Sequence, residues 1–202
     1  MPTELMKHYY RNTSAHAYVH MTMAVHCAPF LKGIKDSALL VVKPEEAKVL
    51  GKLLCRMNAR CKTMVRNDKK VILLLYRQEC MKKCLMRTEV QEFLKQFGYG
   101  QLETFSEQEL VNQVLEHLKH RFIQAYGCRH EFPHEIGIFL DYPMEDVIGF
   151  IENSGQNYLM SGYWKVYSNQ EQAQRVFQSY DEARESAIYE ILEGKKFYEI
   201  AV

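Results

Sequence analysis

The fold of this chain is decided by the run VILLLY at residues 71–76, which is apolar without a break. A strand that faces water on one side alternates apolar and polar residues, whereas a strand covered on both faces does not. The run therefore predicts a central strand buried between two layers. Asn67 and Asp68 just before it indicate a turn. A helix predicted from about Gln78 to Phe97, with Gly98 as its stop, supplies part of one layer.

Upstream of this strand the pattern alternates helix, strand and helix. Ser14 is a candidate N-cap for a helix to about Cys27, which Pro29 is expected to interrupt. Residues 38–42 read ALLVV, a short β-branched run that predicts a strand. A proline followed by two acids then predicts a helix from about Pro44 to Cys61.

Downstream, the alternation continues. Ser106, with Glu109 three residues later, forms a capping box that opens a helix to about Tyr126. The remaining predicted elements are a third strand at 136–140, a short helix at 143–151, a fourth strand at 159–167 and a last helix to about Leu192. Strands that alternate with helices predict an α/β fold with about four strands in a mainly parallel or mixed sheet flanked by helices. We expect one domain over residues 1–202, with residues 1–35 as a candidate N-terminal helical appendage.

Composition narrows the class of protein. The chain has 202 residues, a formal net charge of +1 and 25% charged residues, as an ordinary globular protein does. Such a charge gives no general attraction to nucleic acid, so we expect no nucleic-acid partner. The N-terminus lacks a basic segment followed by an apolar run, and no apolar run is long enough to span a bilayer. We therefore expect a cytoplasmic protein with reduced cysteines and no membrane partner.

Two distinctive stretches carry a family resemblance. One is HCAPFLKGIK at residues 26–35; the other is FPHEIGIFLDYPMEDVIGFIEN at 132–153, which continues as SGYWKVY at 161–167. Together they resemble an uncharacterised domain-of-unknown-function family of anaerobic, spore-former-type bacteria, over about residues 27–194. The resemblance implies a bacterial protein and carries no established activity or ligand. Phe30, Lys32 and Met160 depart from the sequence pattern of that family. At the position of Met160, the relatives are expected to have Cys.

Cys27 and His134 form the most reactive candidate pair. A histidine near a cysteine lowers the pKa of the thiol, and the free amides of a helix start near Pro29 would do the same. Glu135 is a candidate to orient the histidine ring. These three residues are the candidate catalytic set of a cysteine-dependent hydrolase or acyl-transfer enzyme. The alternative is that Cys27 packs as a small apolar side chain and His134 bonds to backbone.

A metal site is a weaker hypothesis. Cys128, His130 and His134 are ligand types at short spacing, and zinc needs three or four such groups arranged tetrahedrally. No paired Cys-x-x-Cys motif accompanies them, and scattered thiols and surface histidines explain them equally. We therefore predict no metal, with these three residues as weak candidates.

No motif in the chain proves a reaction, and the cofactor and oligomeric state stay unknown. The function favoured by the sequence is a binding or regulatory domain that receives a small ligand or a protein partner in a cleft at the strand ends. The cysteine-dependent enzyme is the first alternative and the metalloprotein is the second.

Overall fold

The computed structural model describes residues 14–127 and 132–202. The class is mixed α/β, as expected. Within the described part, the elements in chain order are α1 Ala15–Leu31, β1 Ser37–Val42, α2 Pro44–Leu54, β2 Arg60–Arg66, β3 Val71–Tyr76, α3 Gln78–Leu85, α4 Thr88–Lys95, a 3₁₀ turn Leu102–Thr104, α5 Glu107–Gly127, α6 Ile136–Phe139, α7 Met144–Glu152, β4 Met160–Ser161, β5 Lys165–Val166 and α8 Gln170–Leu192. No helix in these residues is both long and apolar enough to cross a membrane.

The main sheet has the strand order β1–β3–β2, and β3 pairs antiparallel with both neighbours. All six residues of β3 are buried, which confirms the central strand predicted from its unbroken apolar run. Alternate side chains of β3 enter two different core layers: Leu73 and Leu75 pack with α1, α2 and α8, whereas Ile72 and Leu74 pack with α3 to α7. The result is a sheet between two helical layers.

The expected four-stranded, mainly parallel sheet is corrected to three antiparallel strands and a separate two-stranded antiparallel hairpin. Residues 67–70 connect β2 directly to β3, and so short a connection can join only antiparallel neighbours. The sequence does not predict β2, because Arg60, Lys62 and Arg66 make it polar. Charged side chains are typical of an edge strand, which must resist pairing with other chains.

The predicted strand at residues 136–140 is also wrong. Ile136–Phe139 form the helical turn α6, in which the Leu140 amide donates to the Ile136 carbonyl at 3.0 Å. A short apolar run buried on all sides has no period that separates helix from strand. The predicted fourth strand shrinks to the β4–β5 hairpin, whose two strands have two residues each.

Helix ends follow the sequence signals more closely. Ser14 caps α1 and Asn169 caps α8, each side-chain oxygen accepting a backbone amide of the first turn.

Two helices differ from the sequence prediction. The predicted helix at 78–97 is divided near Met86 and Arg87 into α3 and α4. Pro29 does not end α1; instead the helix breaks at Cys27, where φ is −124° and ψ is 15°, and then continues to Leu31.

Helix α1 lies within the core. Its residues Met21, Met23 and Phe30 are fully buried and belong to the same layer as Ala187 and Ile191 of α8. How the chain divides into domains stays a prediction.

Candidate functional site

A cavity of about 280 Å³ lies between α6, α7 and the β4–β5 hairpin; we call it the hairpin cavity. Its apolar walls are Ile136, Tyr142, Val147, Phe150 and Trp164. All of its lining residues fall within the two parts of the second distinctive stretch, 132–153 and 161–167. The most characteristic stretch of the sequence therefore encloses a space instead of only filling the core.

Asp146 holds the hairpin against α7. The side chain is 3% exposed, and its Oδ2 accepts from the Trp164 indole Nε1 at 2.7 Å. Its Oδ1 accepts from the backbone amides of Tyr167 at 2.8 Å and Ser168 at 2.9 Å, and from the Ser168 hydroxyl at 2.9 Å. Four donors satisfy this buried carboxylate, so Asp146 positions the cavity wall and is not a free base.

Trp164 forms the wall closest to α8. Its ring stacks on Tyr142 with centroids 5.1 Å apart and meets Phe177 edge-on at 4.5 Å. Gly162 permits this packing, because a Cβ at that position would lie 2.2 Å from Cε2 of Phe177. The aromatic wall is thus held from both sides.

Three polar side chains of the hairpin cavity have bonding capacity to spare. The His134 imidazole lies between the rings of Phe132 and Phe150, at 5.6 and 4.8 Å, and hydrogen-bonds to no described side chain or backbone group. The Lys165 ammonium donates to the Gly155 carbonyl at 2.5 Å and forms no ion pair within the described part of the chain. The Ser161 hydroxyl is exposed and likewise makes no hydrogen bond to described residues.

Cys27 lines a different, smaller space. The side chain is 1% exposed, and burial raises the pKa of its thiol to about 12, with Lys35 as the charge that opposes this shift. Among the described residues, no hydrogen bond or charge interaction joins Cys27 to His134. A nucleophilic cysteine needs a lowered pKa, so the surroundings of Cys27 act in the opposite direction.

A family model matches residues 23–201, which is nearly the whole chain. The chain belongs to a family of proteins of unknown function, DUF3793. This confirms the resemblance to an uncharacterised domain family. No curated protein and no solved structure matches the chain. The matched region of this DUF3793 protein contains the hairpin cavity and Cys27.

Glu135 is engaged elsewhere in the DUF3793 domain. It is fully buried and forms an ion pair with Arg121, and its Oε1 also accepts from the Tyr99 hydroxyl at 3.1 Å. Burial, followed by the charge of Glu135, raises the pKa of Tyr99. Glu135 therefore connects α5 to the start of α6, and none of its hydrogen bonds goes to the His134 ring.

The structure describes only one of the three candidate metal ligands of this DUF3793 protein. Cys128 and His130 lie outside the described residues, while His134 lines the hairpin cavity. The ranges 14–127 and 132–202 contain no group of three or more His, Cys, Asp or Glu side chains placed to hold a metal ion.

The sequence analysis does not identify Asp146 as part of a site. Asp146 lies in the first turn of α7, where an acid also stabilises the start of a helix. The available signal was an acid in a proline-led helix followed, within one distinctive stretch, by a lone tryptophan whose N–H needs a buried acceptor.

Proposed function

We propose that this protein is a small-molecule-binding domain whose hairpin cavity receives a small, planar, mainly apolar molecule that carries one acidic group. The observation that supports this proposal is the cavity itself, with aromatic walls and polar side chains that can form further hydrogen bonds. Ligand sites are typically apolar spaces with a few polar groups that fix orientation.

The size of the cavity limits the ligand. At about 280 Å³ the cavity lies just below the usual range for ligand pockets, which is about 300–1,000 Å³, so its ligand must be small. The aromatic rings of Phe150 and Trp164 line the cavity, so a planar group can pack against them. A single-ring molecule fits these walls, whereas a dinucleotide is too large.

The charges at the cavity favour an acidic group. Lys165 is the cation among the lining residues, and its ammonium lies 4.7 Å from the Tyr158 ring centroid and 5.6 Å from that of Phe150. The charge of Asp146 is already met by its four donors. A carboxylate next to Lys165 would gain a charge-assisted hydrogen bond, and His134 and Ser161 could donate further hydrogen bonds to it.

The cysteine-dependent enzyme has less support than a binding function. Burial keeps the Cys27 thiol protonated, and Glu135 bonds to Arg121 and Tyr99. We also propose that this binding domain is a single domain in the bacterial cytoplasm. The composition and the family resemblance support this placement.

Trp164 makes the proposal directly testable. It is the only tryptophan in the sequence and it lines the hairpin cavity, so its fluorescence reports on the occupant. We expect titration with benzoate to change this fluorescence saturably, and benzyl alcohol, which has the same ring without the charge, to bind about tenfold or more weakly because it loses a charge-assisted bond. The Lys165→Met variant should remove the difference between the two probes.

Lys69→Met is the matched control, because Lys69 is an exposed residue of the β2–β3 turn whose loss changes the net charge equally. This control should keep the preference for benzoate. A benzoate titration without any saturable change, or equal binding of both probes to the wild-type protein, would contradict the proposal.

A further inference from the structure

A second cavity, of about 140 Å³, lies between α1, α8 and the residues just before β1; we call it the basic cavity. It shares only Tyr142 with the hairpin cavity. Its lining contains three basic side chains, His26, Lys35 and Arg184, and no aspartate or glutamate. The two cavities are therefore distinct in position and in chemistry.

Lys35 is a cation without an ion-pair partner. Its ammonium lies 5.0 Å from the ring centroid of Tyr142 and 5.8 Å from that of Tyr180, and it forms no hydrogen bond or ion pair in the described part of the chain. Partial burial lowers the pKa of Lys35, while the charge of Asp141 opposes this shift. A desolvated ammonium without a counter-ion costs free energy, which an anion in the cavity would offset.

Further donors face the same space. Tyr180 is 4% exposed, and its hydroxyl has no hydrogen-bond partner among the described residues. Burial raises the pKa of Tyr180, so the hydroxyl keeps its proton and can donate. Arg184 uses one terminal nitrogen on Asp181, at 2.7 Å, and a guanidinium has five N–H donors.

Two carboxylates that interact with residues of the basic cavity, Asp141 and Asp181, are occupied by other donors. Asp141 Oδ2 accepts from the backbone amides of Asp36 at 2.8 Å and Ser37 at 3.1 Å. Asp181 accepts from Arg184 and, at 2.9 Å, from the Tyr163 hydroxyl. Neither acid approaches Lys35 closely enough to form an ion pair.

We infer that the basic cavity binds a small anion, of the size of inorganic phosphate or of a short carboxylate such as pyruvate, with Lys35 as its counter-ion and with Tyr180 and Arg184 as further donors. The volume of about 140 Å³ suits an anion of this size. This site does not depend on the hairpin cavity, so either proposal can fail without the other.

Calorimetric titration at constant ionic strength tests the inference, with inorganic phosphate in one arm and pyruvate in the other. We expect saturable binding of at least one anion by the wild-type protein, and the arm that binds identifies an oxyanion or a carboxylate site. Lys35→Met should weaken that binding by about tenfold or more, as expected for the loss of a charge-assisted hydrogen bond. Without anion, this variant should melt at the same temperature as wild type or higher, because an unpaired charge is removed from the interior.

Lys48→Met, an exposed lysine of α2, is the matched control and should bind the anion as wild type does. Tyr180→Phe keeps the aromatic packing and removes only the hydroxyl, so it provides the test if Lys35→Met fails to fold, and it too should bind more weakly. The inference is overturned if neither anion binds saturably, or if the folded Lys35→Met and Tyr180→Phe proteins both bind with wild-type affinity.

Discussion

Cys27 lies at the break in α1 and is 1% exposed, and burial raises the pKa of its thiol to about 12. At pH 7 its thiolate fraction is then on the order of one in 10⁵. We expect iodoacetamide to modify the exposed residues Cys55 and Cys61 long before Cys27, as followed by mass spectrometry of the folded protein.

The His134→Ala variant should leave the modification rate of Cys27 unchanged, because no described contact connects the two side chains. Fast modification of Cys27 that becomes slow in this variant would instead support a nucleophilic cysteine activated by His134.

The hydrogen bonds of Asp146 lead to a prediction about stability. Asp146→Asn replaces one carboxylate oxygen by an NH₂ group, which must then face either the indole of Trp164 or the donors of Tyr167 and Ser168. The substitution should lower the free energy of unfolding by about 2 kcal/mol or more, since hydrogen bonds to charged groups contribute about 1.5–3 kcal/mol each. Urea denaturation measures this loss. Glu145→Gln, at the exposed neighbouring position, is the control and should change stability by less than about 0.5 kcal/mol; equal effects of the two substitutions would refute the assigned role.

At the level of elements, β3 organises both core layers. Leu74 is fully buried at the centre of the sheet, where it lies opposite Leu39 and Lys62 in the two neighbouring strands. Leu74→Asp should lower the free energy of unfolding by more than about 4 kcal/mol, because a carboxylate without a partner is placed in the core. Thermal melting by circular dichroism is the measurement.

Val41→Asp, on the edge strand β1 at a residue that is 55% exposed, is the control. It should melt near the wild-type temperature, and a Leu74→Asp protein that does the same would show that β3 is not the central strand.

The contact between α1 and α8 predicts a dependence on pH. Glu190 of α8 pairs with Lys32, the C-cap of α1, and with Lys195 at 3.0 Å; these hydrogen bonds lower the pKa of Glu190 from 4.5 to about 2. A carboxyl whose pKa is lower in the folded state stabilises that state above its unfolded pKa, and this stabilisation is lost as the pH falls through the folded pKa. Glu190→Gln should therefore lower the melting temperature at pH 7.

The difference in melting temperature between wild type and Glu190→Gln should shrink as the pH is lowered from about 4.5 towards 2. Glu193→Gln, an exposed position at the end of the same helix, serves as the control and should show little difference at any pH. A difference for Glu190→Gln that does not change between pH 5 and pH 2 would contradict the lowered pKa.

At the scale of the whole molecule, packing of the core layers stabilises the fold. Within residues 14–127 and 132–202 every cysteine is a free thiol, and Cys27 contributes to the core as a small apolar side chain. We expect the melting temperature to be the same with and without dithiothreitol. A marked fall in melting temperature on reduction would reveal a disulfide that the fold needs.

The sequence by itself determined the features that depend on local chemistry. The unbroken apolar run of β3 requires cover on both faces, and Ser14 starts a helix because its side-chain oxygen accepts an amide only three residues away. The second distinctive stretch was recognisable in advance, and it contains the residues that line the hairpin cavity.

Only the tertiary structure decided what those residues do together. Ile136–Phe139 are buried on every side, so their sequence has no period that separates a helix from a strand, and only their packing makes them a helix. Arg60–Arg66 form a strand because they pair with the free edge of β3. Asp146 accepts a hydrogen bond from the indole of Trp164, 18 residues later in the chain. The ammonium of Lys35 lies over the ring of Tyr180, which belongs to the last helix. Such contacts depend on how elements pack, and local spacing does not encode packing, so the cavities exist only in the folded chain.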